Sequence, residues 1–142
     1  MSDPTVLSRF PPEVGNELPE QRRVVTQQVI SAYAEASGDQ NPIHLDPEFA
    51  RTAGLPATIA HGLLTLGTVC AGIESWAGEH AWASRVSCRF SAPVPAGEEL
   101  RCTAVVTAAD AESATVELQV LVSTGERALT RARVELRALS EL

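Results

Sequence analysis

The chain has 142 residues, a net charge of -7, 44% hydrophobic and 20% charged residues, which is the composition of one ordinary globular domain spanning 1–142. All 11 cations are arginine, so no lysine is present to act as a nucleophile or Schiff base. The acidic balance and the lack of a basic cluster exclude a nucleic-acid partner, whose phosphates need neutralising.

No apolar run reaches the roughly 18 residues needed to cross a bilayer. Met1 to Arg9 lacks the charged-then-apolar pattern of a signal peptide. Cysteines 70, 88 and 102 are odd in number and far apart, and read as small buried hydrophobes in a reducing compartment. The expected location is the cytoplasm, with no membrane association.

The prolines at 4, 11, 12 and 19 predict an irregular arm over the first twenty residues. Arg22 to Val25 reads as a short strand. Thr26 is the expected N-cap of a helix whose apolar face carries Val29, Ile30, Tyr33 and Ala34. Ser37-Gly38 ends it, since glycine tolerates the left-handed conformation of a C-cap. Asp39 to Pro56 is punctuated by Pro42, Pro47, Gly54 and Pro56. It reads as a loop with one short helix, Pro47 to Thr52, capped by Asp46.

His61 to Trp76 predicts a long helix, apolar on nearly all sides and therefore buried. Its Gly62, Gly67 and Gly72 each cost about 1 kcal/mol relative to alanine, which close packing against a sheet would offset. After Gly78 the period changes to two. Val86, Cys88, Phe90 and Ala92 begin four alternating strands, followed by Leu100 to Val106, Val116 to Val120, and Ala128 to Leu136. Thr130 and Ala132 fall on the apolar side of the last. Turns at Pro95-Ala-Gly97, Ala109 to Ser113 and Thr124-Gly125 join these strands. The expected fold is α+β: a curved antiparallel sheet around one long helix, with residues 98–136 as a meander.

One segment packs chemistry: Tyr33-Ala-Glu-Ala-Ser-Gly-Asp39-Gln-Asn41-Pro42-Ile-His44-Leu-Asp46. Pro42 fixes a backbone angle between Asp39 and His44, so both side chains can reach one point as an acid–base pair. Asn41 can brace the turn by bonding nearby backbone. Taken alone, Asp39 reads more readily as a turn residue and His44 as a surface histidine; with Asn41 and Pro42 between them, the catalytic reading is the stronger. Ala60-His61-Gly62 opens the long helix, where backbone N–H groups lack internal partners. With no side chain, Gly62 would let a ligand oxygen approach its N–H, as an oxyanion hole requires. His61 reads as a structural histidine bonding backbone more readily than as a catalyst. Asp46 reads as a cap, and Arg85 and Arg89 as a solvated strand face or, less readily, as neighbours of a carrier phosphate. The histidines at 44, 61 and 80 lack metal-ligand spacing. No GxSxG nucleophile turn is present.

The runs "YAEASGDQNPIHLD" and "GLPATIAHGLLTLG" together resemble the hydratase 2 motif of MaoC-like (R)-specific enoyl hydratases and (3R)-hydroxyacyl-thioester dehydratases, including mycobacterial dehydratase subunits. The resemblance implies a single hot-dog fold with Asp39 and His44 as the catalytic pair and the Gly62 amide in the oxyanion hole. Asn41 and His61 would support the site, and residues 45–60 would overhang the acyl channel. Some relatives carry a serine where this chain has Cys70, a position that bears on acyl fit. No cofactor or metal is implied. The implied partners are an acyl-CoA or acyl-ACP substrate and a second hot-dog chain, as homodimer or heterodimer. Alternatives on the same fold are a non-catalytic acyl-binding subunit and a thioesterase.

Overall fold

The computed structural model describes residues 5–139. Of the expected irregular arm, residues 1–4 lie outside the described residues. Residues 5–20 are irregular but docked: the Gly15 and Leu18 N–H groups donate to the Val106 and Ala104 carbonyls, the Val106 N–H donates to the Asn16 carbonyl, Glu17 bridges Val105, and Leu7 and Leu18 are buried in the core.

The arm leads into β1 (Gln21–Val24) and α1 (Gln27–Ser37). Thr26 caps α1 by accepting from the Val29 N–H at 3.2 Å, and Gly38 ends it at φ 81°, in the left-handed region that favours glycine. Two one- to two-turn helices follow, α2 (Pro42–Leu45) and α3 (Pro47–Thr52). Only the second was expected. α2 exists because Pro42 sits at its first position, where no N–H is needed, and Asn41 caps it. Asp46 caps α3, accepting from the Glu48 and Phe49 N–H groups.

The long helix α4 (Gly62–Ala77) lies against a sheet made of β1, β2 (Ala81–Phe90), β3 (Glu99–Ala109), β4 (Ser113–Leu121) and β5 (Arg127–Ala138). The order is β1-β3-β4-β5-β2, antiparallel throughout. β3, β4 and β5 form the expected meander. The core lies between α4 and the inward residues of these strands. Ile73, Trp76, Val106, Val116, Val134 and Leu136 gather at one end, and Ile30, Val69, Leu100, Val120 and Leu129 at the other.

Three expectations need correction. α4 is not buried all round: Leu63 is 62% exposed, and Gly67, Ala71 and Glu74 extend that open stripe along one side. A five-stranded sheet wraps only one side of a helix. The apolar alternation of β2 does not produce a covered face either. Trp82, Val86 and Phe90 are 48%, 37% and 54% exposed: α4 meets β2 at Gly62 and Phe90, but β2 is an edge strand with no strand of the sheet on its outer side. In β5 the parity breaks at Arg131, which is bulged at φ 52°. The break turns Leu129 into the core at 2% exposed. Thr130 is left half-buried, its hydroxyl 2.8 Å from that of Ser91.

All three cysteines are free thiols, with Cys102 buried and the others half-buried. Burial, with a smaller push from Cys70, raises the Cys102 thiol to about 12. Burial also raises Cys70 and Cys88. Thiols held neutral in this way behave as the small hydrophobes expected. Among the described residues no helix is long and apolar enough to cross a membrane.

Candidate active site

The turn after α1 positions two acceptors. Gly38 lets the chain reverse. The Asp39 N–H then bonds Ser37 Oγ at 3.1 Å, and Asp39 Oδ1 accepts from the Asn41 N–H at 3.3 Å. Asn41 Oδ1 in turn accepts from the Ile43 N–H at 3.2 Å, fixing the start of α2. Losing a cap of this kind costs about 1 kcal/mol. Asn41→Ala is therefore expected to lower stability by that amount in urea denaturation, and to lower kcat as well because His44 rides on α2. Asn41→Asp should retain most of both.

His44 is buried, at 6% exposed, and held from several sides. Its N–H bonds the Asn41 carbonyl, and its own carbonyl accepts from Gln27 Nε2 at 2.9 Å. Gln27 Oε1 accepts from the Thr58 hydroxyl. His44 Nδ1 lies 2.7 Å from the Ile59 carbonyl. A carbonyl only accepts, so Nδ1 carries the proton, and in the neutral ring Nε2 presents its lone pair. That lone pair faces Asp39 Oδ2 across 4.0 Å, and the Asp39 side chain is 57% exposed in the single chain. Separation of this size accommodates a water bonded to both groups.

The rings of His44 and His61 stack with centroids 3.7 Å apart, and Tyr33 of α1 tilts over His61 at 4.8 Å. His61 Nε2 is 2.9 Å from the Asp39 carbonyl, so by the same reasoning Nε2 donates and Nδ1 is left as a buried acceptor with no partner among the described residues. His61 stands at the N-cap of α4 with no side-chain cap bond. It bonds backbone, as its structural reading held, but that backbone lies 22 residues upstream. One donor atom each from Asp39, His44 and His61 lie within 4.8 Å of one another, a grouping the spacing of the histidines did not reveal. One nitrogen of each ring is already engaged with a backbone carbonyl, His44 Nδ1 with Ile59 and His61 Nε2 with Asp39.

Gly62 follows His61 and lines a cavity of about 270 Å³ with Leu55, Ile59, Thr65, Phe90 and Val94 among its walls. The Phe90 ring lies so close that a Cβ built on Gly62 would meet its Cδ1 at 2.7 Å. Cys70 is not among the residues lining this cavity; it packs against the core around Ile73 and Trp76. Arg85 and Arg89 are exposed on β2, which agrees with a solvated strand face.

Sequence reasoning missed the Ile59 carbonyl, Phe90 and Thr65. Backbone carbonyls carry no sequence signal, and Phe90 reads as an ordinary strand residue. Thr65 could have been noticed as a polar side chain three residues after Gly62 on an apolar helix.

Residues 9–128 match the MaoC like domain. The chain belongs to the MaoC-like domain family. It is 41% identical over 86 residues to 3-hydroxyacyl-thioester dehydratase X of Mycobacterium tuberculosis, an alignment covering 59% of this chain and 30% of that protein. This MaoC-like chain thus spans less than a third of that relative's length. Among solved structures, it resembles the R-hydratase PhaJ1 of Pseudomonas aeruginosa, with a TM-score of 0.81 and 26% identity over 92% of this chain and 90% of that one. It also resembles a chain of the ChsH1-ChsH2 complex of Mycobacterium tuberculosis, with a TM-score of 0.82 and 27% identity over 89% and 98%. The helix-against-sheet architecture is therefore the hot-dog fold that the motif implied.

Proposed function

We propose that this MaoC-like chain reversibly hydrates trans-2-enoyl thioesters to (3R)-hydroxyacyl thioesters, with Asp39 and His44 handling the proton. The observation that carries the reading is the locked tautomer of His44, whose Nε2 lone pair faces Asp39 Oδ2 at 4.0 Å. A water held between them loses a proton to the pair as its oxygen bonds C3. The C2–C3 π electrons shift toward C1, and negative charge collects on the thioester oxygen. The Gly62 N–H, at the positive end of α4, is placed to hold that charge. The proton is then delivered to C2 and the enolate collapses to the thioester. Dehydration is the reverse of these steps. The relatives' names, a 3-hydroxyacyl-thioester dehydratase and an R-hydratase, support the same reaction class.

The reading includes a second hot-dog chain, identical or different. Its support is the open apolar rim of β2 with Trp82, Val86 and Phe90, the exposed stripe of α4 at Leu63, and the likeness to a chain of a two-protein complex. Edge strands of this kind are normally paired or covered. The location proposed is the cytoplasm.

The test is turnover of crotonyl-CoA and of crotonyl-ACP by the purified chain, with sedimentation of the same sample at micromolar concentration. Hydration by a dimer is the expected result. Release of free thiol without hydration would instead make the chain a thioesterase. Binding of both substrates without turnover would make it an acyl-binding subunit.

A further inference from the structure

Thr65 is 2% exposed, and its Oγ1 has no hydrogen-bond partner among the described residues. A threonine inside a helix ordinarily turns its hydroxyl back onto a carbonyl of the preceding turn. Thr68 does so, bonding the Leu64 carbonyl at 2.8 Å. Thr65 does not, and a valine of the same shape would spare the core an unpaired hydroxyl.

Its place explains the exception. Thr65 lines the same cavity as Gly62, whose other walls include Leu55, Ile59, Val94 and Leu129. Helical side chains lean toward the N-terminus and cover the turn before their own Cα. The Thr65 side chain therefore lies over the turn that begins at Gly62. The one other polar side chain in this mostly apolar lining, Ser91, is engaged with the Thr130 hydroxyl, so Thr65 offers a free polar atom near the Gly62 N–H, the arrangement that fixes an apolar ligand by one polar atom.

We propose that Thr65 is a further catalytic residue, its hydroxyl donating a second hydrogen bond to the thioester carbonyl oxygen beside the Gly62 N–H. This rests on the hydratase reading above. A carbonyl oxygen has two lone pairs, so it accepts both donors at once, and it binds them more tightly as charge develops on it. Thr65 neither gains nor loses a proton in the cycle. The acyl chain follows the apolar walls.

The test compares Thr65→Val and Thr65→Ser with the parent in the full chain. Thr65→Val is expected to lower kcat for crotonyl-CoA or crotonyl-ACP by about a hundredfold, the usual effect of one lost oxyanion donor, with only a small change in KM. Its melting temperature should equal or exceed the parent's, because no folded-state partner is lost. Thr65→Ser, which keeps the hydroxyl, should recover most of the turnover. A Thr65→Val variant with parental kcat overturns the proposal. So does Thr65→Ser impaired as much as Thr65→Val, since the methyl group would then be what matters. Affinity for acetoacetyl-CoA, which offers the same carbonyl without a double bond to hydrate, separates the two claims. A parent that binds it but never hydrates an enoyl thioester ends the hydratase reading. The Thr65→Val comparison then still decides, with weaker binding supporting the contact and equal binding ending it. A parent that binds and hydrates no thioester ends both.

Discussion

Asp39→Asn is expected to lower kcat for the proposed enoyl-thioester hydration by about a hundredfold or more, and His44→Ala should do the same, since one positioned acid or base is typically worth that much. The two variants differ in what else they change. In Asp39→Asn the amide that replaces the carboxylate keeps an oxygen that can accept from the Asn41 N–H, so the turn that Asp39 Oδ1 now braces survives. The new side chain cannot take a proton. Stability should therefore hold while turnover falls. His44→Ala is less clean, because the ring is buried, stacked on His61 and bonded to the Ile59 carbonyl. It should lose stability along with activity, and its kcat must be read per folded molecule, with the folded fraction taken from circular dichroism. KM should move little in either variant, because neither group is needed to hold the acyl chain. A fully active Asp39→Asn protein would sink the proton-handling role of the pair.

The local signals that fixed much of this architecture act over one or two turns of chain. Thr26, Gly38, Asn41 and Asp46 each satisfy or release backbone within a few residues of themselves, so the sequence announces them. The same is true of Pro42 and Pro47, and of the alternation in β3 and β4. What stayed hidden depends on contacts far along the chain. The tautomer of His44 is set by a carbonyl 15 residues away, and the contact of His61 with Asp39 spans 22. The parity break at Arg131 comes from register with two neighbouring strands, and a period-two reading has no term for it. The apolar rim of β2 and the open stripe of α4 misled for a related reason. Apolar residues mark a face suited to burial, not one that this chain itself covers. Asp39, Asn41 and His44 of the candidate site stood out because they lie together in sequence. Thr65 and Phe90 became visible only when the helix start and the edge strand met.

That meeting decides what Gly62→Ala should do. In a free helix alanine is better than glycine by about 1 kcal/mol, and an open site would make the variant more stable. Here the new Cβ would lie 2.7 and 2.8 Å from Phe90 Cδ1 and Cε1, so the ring must move. Phe90 is 54% exposed on an edge strand, so it has somewhere to go. Overpacking usually costs about 1–3 kcal/mol, and the relief offered by solvent places this case at the low end. The two effects nearly cancel, and the expected stability is close to the parent's or slightly below it. Activity should not be spared in the same way. If the Gly62 N–H holds the thioester oxygen, obstruction of its approach should lower kcat by about a hundredfold. Phe90→Ala separates the causes when combined with Gly62→Ala in a double-mutant cycle. Removing the ring should restore whatever stability the methyl group cost, yet leave turnover low, because the methyl group still stands beside the amide. If turnover returns with the ring removed, Gly62→Ala acted by displacing Phe90 into the cavity, and the donor to the oxygen lies elsewhere on the start of α4.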